Sequence, residues 1–416
     1  MHTLSRRQAI AVLAGGLFLR HSPASAADAP CPPLKHGINI HNLLNWPDVD
    51  VKAGKTTYLW PAFSAPRFSI TDAELRTLVS AGFDFVRLTV DPSIFIEATA
   101  ENAAEIHQHA KYVISRLLGQ GFNVVVDLHP VAVNAEYSPQ NLVREQSSPQ
   151  FRAYADMVER MTLLLRDFPP NRVAFELMNE PAIFSTELAD VRRWQTMLEI
   201  LHKKARASND LMPLVLSGAQ VSDWKGLRLL DVEPFRRSNV LYTFHFYEPY
   251  AFTHQGVLRI ETQCTAGIMW PEDDANAEDV LAKADACVAA TSLGDADRAK
   301  LRADTQRLIK GYEGRRFNVA MIGAAFDEVG HWAAQNGIAP SRILLGEFGC
   351  VKSATARPLG EQRLLWLQTV ASNADRLGFP WAYWGYKGRG GMELLEENAA
   401  NLDQEVLGAL QLHGKG

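Results

Sequence analysis

The chain has 416 residues, of which 47% are hydrophobic and 21% charged, which excludes a disordered chain or a coiled coil and is typical of a globular protein. A formal net charge of -5 leaves no excess of basic residues for a phosphate backbone, so nucleic acid is not expected as a partner. The length alone suggests two or three domains, but a barrel of alternating strands and helices also uses a chain of this size as one domain.

The first 26 residues have the pattern of an export signal. Ser5-Arg6-Arg7 precedes an apolar run from Ala9 to Leu19, and Ala24-Ser25-Ala26 offers small residues for cleavage. The paired arginines favour twin-arginine export, with Sec export as the alternative. The apolar run is too short to cross a hydrocarbon core of about 30 Å, and no later segment is long enough. We therefore expect an exported protein, periplasmic or extracellular, with no membrane span.

Strand-like and helix-like segments alternate through the remaining residues 27–416, which predicts a parallel sheet with crossover helices. Eight strands are predicted, at 37–40, 83–88, 123–128, 172–178, 213–217, 239–245, 342–346 and 379–384. Amphipathic stretches predict helices between them, including 72–81, 104–120, 151–168 and 186–207. Eight such units favour an α/β fold of the (β/α)8 TIM barrel type, in a single catalytic domain, over an open sheet.

The connection after the sixth strand is longer than one crossover helix requires. The apolar spacing of residues 317–336 predicts the barrel helix, so residues 249–310 are interpreted as an insertion. In a barrel this insertion would emerge beside the C-terminal ends of the strands. It either walls a substrate cleft or decorates the surface.

The four cysteines suggest one structural disulfide in an exported protein. Cys264 and Cys287 lie together in the polar insertion, so we predict that they pair and that Cys31 and Cys350 are free thiols. No two cysteines have the close spacing of a zinc or redox motif. Neither a metal nor another cofactor is expected.

Acidic residues occupy two strand ends, where apolar packing should stop. The fourth strand ends in Phe175-Glu176-Leu177-Met178-Asn179-Glu180-Pro181, and the seventh in Leu344-Leu345-Gly346-Glu347-Phe348-Gly349. Each acid alone is explained equally well as a salt-bridged barrel residue, but two at matching ends favour a catalytic pair. Glycoside hydrolysis with retention requires two carboxyl groups about 5 to 5.5 Å apart, a nucleophile and an acid/base. We assign Glu347 as nucleophile and Glu180 as acid/base, with a pKa raised by burial and by the charge of Glu347.

Arg87 interrupts the apolar second strand at a position expected to face the barrel interior. Its positive charge beneath the carboxylates would hold Glu347 ionised. The structural alternative is an ion pair with Glu176, because an inward arginine must be paired. The two roles are compatible.

These positions resemble glycoside hydrolase family 5, the cellulase family of (β/α)8 retaining glycosidases, over nearly all of the mature chain. The resemblance rests on residues in barrel order: Arg87, His129, Asn179, Glu180, His245, Tyr247, Glu347 and Trp384. It implies that Asn179 donates to the sugar 2-hydroxyl and that Tyr247 orients Glu347. The two histidines would hydrogen-bond around the sugar, with a structural role as the alternative. Trp384 would stack on the sugar face, or only pack the barrel rim.

Three further residues follow strands and are candidates for binding neighbouring sugar units. Trp46 follows the first strand, Trp224 the fifth, and Lys387 lies three residues past Trp384. Aromatic side chains at these places either form stacking platforms or pack the rim.

The resemblance implies cleavage of a β-linked glucan, in the first instance as an endo-β-1,4-glucanase. We expect the protein to be a monomer. Other specificities of the family are the alternatives: β-mannanase, β-1,3-glucanase, xyloglucanase or glycosylceramidase. A non-catalytic carbohydrate-binding barrel is a further alternative. A barrel that has lost catalysis usually lacks one of the two carboxylates, whereas both are present in this chain. A serine esterase is disfavoured because the chain has no Gly-x-Ser-x-Gly elbow.

Overall fold

The computed structural model describes residues 30–257, 261–272, 277–352, 357–388, 390–395 and 401–412. The export signal predicted over residues 1–26 lies outside the described residues. None of the described helices is long and apolar enough to cross a membrane.

Eight parallel strands close into a barrel, and each pairs with its neighbours in chain order. The ring closes where the eighth strand pairs with the first, with Gly37 opposite Ala382. The strands are β1 His36–Leu44, β2 Phe85–Val90, β3 Asn123–Leu128, β4 Val173–Glu176, β5 Leu214–Ser217, β6 Val240–Phe246, β7 Ile343–Phe348 and β8 Trp381–Tyr383. The predicted (β/α)8 barrel is therefore confirmed, and each predicted strand overlaps an observed one.

Helices surround the barrel and cover its outer face. They are α1 Asp72–Ala81, α2 Pro92–Glu97, α3 Ala100–Gly119, α4 Pro139–Leu142, α5 Pro149–Leu165, α6 Leu188–Ser208, α7 Trp224–Arg228, α8 Tyr250–Thr253, α9 Ala277–Ala290, α10 Asp295–Tyr312, α11 Val319–Gln335, α12 Arg357–Leu377 and α13 Gln404–Ala409. An antiparallel hairpin, Val49–Lys52 with Lys55–Tyr58, lies between β1 and α1. The predicted helices agree with α1, α3, α5, α6 and α11, with shifted ends in all but α1.

Helix α1 shows why some boundaries can be read from the sequence. The Thr71 hydroxyl accepts from the backbone N–H of Glu74, and the Glu74 carboxylate accepts from the backbone N–H of Thr71. This reciprocal capping box satisfies two amides that the first helical turn leaves free. Gly82 ends the helix at φ 108°, a left-handed conformation that glycine adopts without a Cβ clash.

The barrel interior has an apolar lower layer and a polar upper layer. The lower layer consists of Phe85, Val125, Ala174, Val215, Leu241, Leu344 and Ala382, all fully buried. Gly37 completes it, because a Cβ there would lie 2.3 Å from the Phe85 ring. Side chains alternate along a strand, so the residues two places further on also face inward. On β1 to β4 these are Asn39, Arg87, Asp127 and Glu176, and they form the floor of the site.

The insertion predicted for residues 249–310 contains the short α8 and the longer α9 and α10. The Cys264–Cys287 disulfide is present, and Cys31 and Cys350 are free, as predicted. Cys264 packs with Val288 and Leu301 in a small apolar cluster separate from the main core. The disulfide therefore ties α9 to the loop before it, at a place where few apolar side chains pack.

Candidate active site

The two candidate carboxyl groups meet at the C-terminal mouth of the barrel. Glu347 lies on β7, and Glu180 lies in the loop that follows β4. One carboxylate oxygen of each and one ring nitrogen of His245 all lie within 4.8 Å of one another. The Glu347 side chain is 5% exposed and that of Glu180 is 36% exposed. This short separation fits a retaining pair, whereas an inverting pair needs about 6.5 to 9.5 Å for its water.

Arg87 occupies the floor beneath the pair and is fully buried. Its Nε and Nη2 donate to the two oxygens of Glu176, each at 2.8 Å, and its Nη1 donates to Glu347 Oε1 at 2.7 Å. Arg87 therefore contacts both Glu176 and Glu347, the two acids considered for it. Burial alone would lower its pKa, but the charges of Asp127, Glu176 and Glu347 raise that pKa above its ordinary value. The guanidinium is permanently positive.

Asp127 adds a third buried carboxyl group to this floor. Its Oδ2 lies 3.0 Å from Arg87 Nη2 and 2.8 Å from His129 Nδ1, while its Oδ1 is buried with no hydrogen-bond partner. Burial raises the pKa of Asp127 to about 7 and raises that of Glu176, although Arg87 opposes both shifts. One positive charge thus faces three carboxyl groups, and the floor can retain a proton near neutral pH.

The Glu180 carboxyl group forms a hydrogen bond with the His245 ring. His245 Nδ1 lies 2.8 Å from Glu180 Oε1, and Nε2 of the same ring is buried without a partner. Burial lowers the pKa of His245 to about 4, so the ring is neutral at neutral pH. Burial also raises the pKa of Glu180, against the opposing effects of His129 and Arg87. Both groups of this contact can be uncharged, and one hydrogen atom between Nδ1 and Oε1 is enough for the hydrogen bond.

Both oxygens of Glu347 are held by donors. Tyr247 Oη donates to Oε2 at 2.9 Å while Arg87 holds Oε1. Burial and the charge of Glu347 raise the pKa of Tyr247 above its ordinary value, so the phenol keeps its proton. Donors on both oxygens therefore restrict the orientation of the carboxylate.

Asn179 and His129 form a second fixed pair beside the carboxylates. Asn179 Nδ2 lies 3.3 Å from His129 Nε2, and its Oδ1 accepts from Arg87 Nη2 at 2.9 Å. Burial lowers the pKa of His129, and the neutral ring then donates from Nδ1 to Asp127. The Trp384 ring stacks on His129 with centroids 5.5 Å apart and on His41 at 5.3 Å.

A pocket of about 830 Å³ opens beside Trp384, between the ends of β1 and β8. Trp46 and Lys387 line it with Trp384, so the structure brings three of the predicted binding residues together. Trp46 is 49% exposed, whereas Lys387 is held by Glu74, to which its Nζ donates at 3.0 Å.

Trp224 lies apart from these residues. It is 8% exposed, its indole N–H donates to Glu248 at 3.3 Å, and it lines a separate pocket of about 320 Å³. The structure therefore places Trp224 as a packed rim residue, the alternative considered for it, and not on the wall of the large pocket.

Asn39, Asp127 and Ser222 also belong to the site but were not identified from the sequence. Asn39 Oδ1 accepts from Arg87 Nη1 at 3.0 Å, and Ser222 Oγ accepts from the backbone N–H of Glu180 at 3.2 Å. A detectable signal existed for Asp127, a charged residue inside an apolar strand two places before His129. Ser222 lies in a loop and gives no such signal.

Glu180, His245 and Glu347 have the residue types of a metal site, and among the described residues they form a cluster tight enough for one. Arg87 already neutralises Glu347 at 2.7 Å, and a bound cation would lie close to that guanidinium. The residues therefore fit a carboxyl pair better than a metal centre.

Comparison with known proteins shows a family match over most of the chain. A family model described as Cellulase (glycosyl hydrolase family 5) matches residues 49–390. Endoglucanase 3 of Fibrobacter succinogenes is 23% identical over 368 residues, covering 85% of this chain and 50% of that protein. Endoglucanase C of Acetivibrio thermocellus is 28% identical over 222 residues, covering 50% of this chain and 60% of that protein. The chain thus spans between half and three fifths of the length of these relatives.

Solved structures share the fold at low identity. Thermotoga maritima Cel5A, in complexes with cellobiose and with mannotriose, has a TM-score of 0.63 at 20% identity, covering 91% of this chain and 97% of that one. A family 5 xyloglucanase from Paenibacillus pabuli has a TM-score of 0.64 at 16% identity, covering 91% of this chain and 98% of that one.

Proposed function

The chain belongs to glycosyl hydrolase family 5, and we propose that it cleaves internal β-1,4 links of a glucan with retention of configuration. The observation that carries this proposal is the approach of Glu180, Glu347 and His245 within 4.8 Å at the barrel mouth. Two curated relatives are endoglucanases, which supports a glucan as the substrate.

In the first step Glu347 attacks the anomeric carbon and forms a glycosyl ester, while the bond to the leaving oxygen breaks. Arg87 and Tyr247 hold the attacking carboxylate in place before the reaction. Glu180 gives its proton to the leaving oxygen, and its raised pKa keeps that proton available. The cause of this shift is chiefly burial.

In the second step water attacks the ester on the face that the leaving group vacated. Glu180, now ionised, takes the proton from water, and Glu347 leaves as a carboxylate. His245 supports both forms of Glu180, because its neutral ring can accept from the acid or donate to the carboxylate.

The pocket beside Trp384 is suited to the glycone end of the substrate. Trp384 lines this pocket and stacks on His129, which contacts Asn179 Nδ2. Asn179 would donate to the 2-hydroxyl of the reacting sugar, a contact that strengthens in the transition state. Trp384 and the exposed Trp46 offer flat apolar faces to sugar C–H surfaces.

The leaving end of the substrate would lie on the side of β6 and the insertion. A second pocket, of about 480 Å³, begins at Glu248, directly after Tyr247. Tyr250 of α8 lines it, together with Arg307 and Tyr312 of α10. These contacts favour the insertion as a wall of the cleft over a surface decoration.

We also infer export on the signal-like pattern of residues 1–26, a single catalytic domain over residues 27–416, and action as a monomer. The other specificities retain support, since Thermotoga maritima Cel5A was solved with mannotriose and another structural neighbour is a xyloglucanase.

The test combines substrate screening with trapping of the intermediate. Carboxymethyl cellulose, β-mannan, xyloglucan, mixed-linkage and β-1,3-glucans are compared by product chromatography, and we expect short cello-oligosaccharides from the first. A 2-deoxy-2-fluoro β-cellobioside with a good leaving group should add one glycosyl unit to the peptide containing Glu347, seen by mass spectrometry. Glu347→Ala should show neither labelling nor turnover. Labelling of a different residue, or turnover by this variant, would refute the assignment.

A further inference from the structure

The loop after β5 contains three consecutive residues in the left-handed region. Gln220, Val221 and Ser222 have φ values of 57°, 49° and 60°. Non-glycine side chains in this region clash with their own backbone, so such a run persists only where surrounding contacts hold it. The contacts that hold it lead directly to Glu180.

Three hydrogen bonds join this loop to the segment that carries Glu180. The backbone N–H of Gln220 donates to Ile183 O at 2.7 Å, and that of Val221 donates to Pro181 O at 3.2 Å. The third bond runs from the backbone N–H of Glu180 to Ser222 Oγ at 3.2 Å. Glu180 is itself strained, with φ 39° immediately before a proline. The two strained segments therefore stabilise one another.

Ser222 also binds the backbone of His245. The His245 N–H donates to Ser222 O at 2.7 Å, and His245 Nδ1 lies 2.8 Å from the Glu180 carboxylate. Ser222 thus binds the backbones of both Glu180 and His245, and the side chains of those two residues contact each other. Ser222 is fully buried, so no water competes for these bonds.

We propose that Ser222 is a positioning residue for the acid/base Glu180, acting through the backbones of Glu180 and His245. This inference rests on the proposed function, since it assumes that Glu180 transfers a proton. Ser222 Oγ holds the Glu180 backbone in place, and the Ser222 carbonyl holds the backbone of His245, whose imidazole contacts Glu180. Loss of the hydroxyl should misplace the carboxyl group while leaving Glu347, Arg87 and Tyr247 in position.

The experiment measures kcat/KM of Ser222→Ala on β-cellobiosides whose leaving groups range from dinitrophenol to cellobiose. Proton donation matters only for poor leaving groups, so we expect a loss of about tenfold for cellotetraose and less than about twofold for the dinitrophenyl glycoside. Ser222→Gly removes the same hydroxyl but tolerates the left-handed φ, so it supplies the folded comparison if the alanine variant does not fold. A merely structural defect would lower activity equally across the series.

Ser217→Ala is the matched control, because Ser217 is the buried last residue of β5, just before this loop, and its Oγ donates to Met178 O at 2.8 Å, not to Glu180. We expect this variant to keep the wild-type dependence on leaving group. Glu180→Ala provides the reference for complete loss of the acid. If Glu180→Ala shows a steep dependence but both Ser222 variants behave as wild type, the inference about Ser222 is overturned and the proposed function stands. If Glu180→Ala shows no dependence, the proposed function itself fails.

Discussion

Arg87 and Glu347 are joined by a 2.7 Å hydrogen bond between a guanidinium that is fully buried and a carboxylate that is 5% exposed. The same guanidinium binds both oxygens of Glu176 and lies 3.0 Å from Asp127. A charge this deep in the barrel is stable only because opposite charges surround it, and the acids depend on it in turn. The floor of the site and its nucleophile are therefore one electrostatic unit.

Arg87→Met should damage both folding and activity. It leaves three acids without their cation, and breaking a buried ion pair on one side costs about 3 to 5 kcal/mol. Urea denaturation measures this loss, and kcat should fall because Glu347 loses the donor that holds its Oε1. The double variant Arg87→Met/Glu176→Gln removes one of the unpaired charges and should recover part of the stability but not the activity. Wild-type stability of the single variant would contradict this account.

Tyr247→Phe should lower kcat/KM by about tenfold with little change in stability, because one oxygen of the nucleophile loses its donor. The measurement is hydrolysis of an aryl β-cellobioside. Tyr154→Phe is the control, since the buried Tyr154 hydroxyl donates to Leu177 O at 2.7 Å without touching a carboxylate. This control should lose about 1 kcal/mol of stability and keep its activity. Equal activity losses in the two variants would assign Tyr247 a structural role only.

The ends of helices and strands were predictable where capping residues in the sequence mark them. Thr71, Glu74 and Gly82 mark both ends of α1, and its predicted range matches the observed one. Strand β2 was predicted two residues early, at 83–88 instead of Phe85–Val90. The apolar Phe83 lies in the core before the strand begins, so apolar character alone does not show where pairing starts.

The site was predictable only where a residue type is unusual for its position. Arg87 stands out as a charge inside an apolar strand, and Glu180 and Glu347 stand out as charges at predicted strand ends. Trp224 and Trp384 show the limit, since both are tryptophans near strand ends, yet only Trp384 lines the large pocket. The path of each loop decides this, and loop paths depend on distant contacts that the sequence pattern does not contain.

His202 should make stability depend on pH at a place remote from the site. Burial and then the charge of Arg206 lower the pKa of His202 to about 4 in the folded protein, against about 6.5 in the unfolded chain. Above pH 6.5 His202 is neutral in both states and does not lower the free energy of unfolding. As the pH falls from 6.5 toward 4, that free energy decreases, because only the unfolded chain gains the proton.

Comparison with His202→Gln isolates this contribution. The difference in unfolding free energy between wild type and variant should change by about 3 kcal/mol between pH 7 and pH 4, in favour of the variant at low pH. Urea titrations followed by tryptophan fluorescence measure it. A difference that is constant over this range would show that His202 titrates normally in the folded protein.

The double variant Cys264→Ser/Cys287→Ser should loosen the insertion without unfolding the barrel. The disulfide spans a sequence separation of 23, for which loop closure predicts about 3 kcal/mol of stabilisation. Around the disulfide itself only Val288 and Leu301 pack with Cys264, whereas Val280 of α9 and Ile309 of α10 pack into the large core of the barrel. We expect faster hydrogen exchange in α9 and α10 at unchanged exchange in β1 to β8, measured by mass spectrometry.

The same variant tests where the leaving end of the substrate binds. Arg307 and Tyr312 of α10 line the pocket that begins beside Tyr247, so a loosened α10 should raise KM for cellopentaose several-fold. An aryl β-cellobioside has only a small leaving group and should react as in the wild type. The variant Cys31→Ser/Cys350→Ser is the control, because those cysteines are free and lie outside the insertion. If the insertion forms a wall of the cleft, loosening it affects only substrates long enough to reach the insertion. An equal change in KM for cellopentaose and for the aryl β-cellobioside would therefore place the insertion outside the cleft.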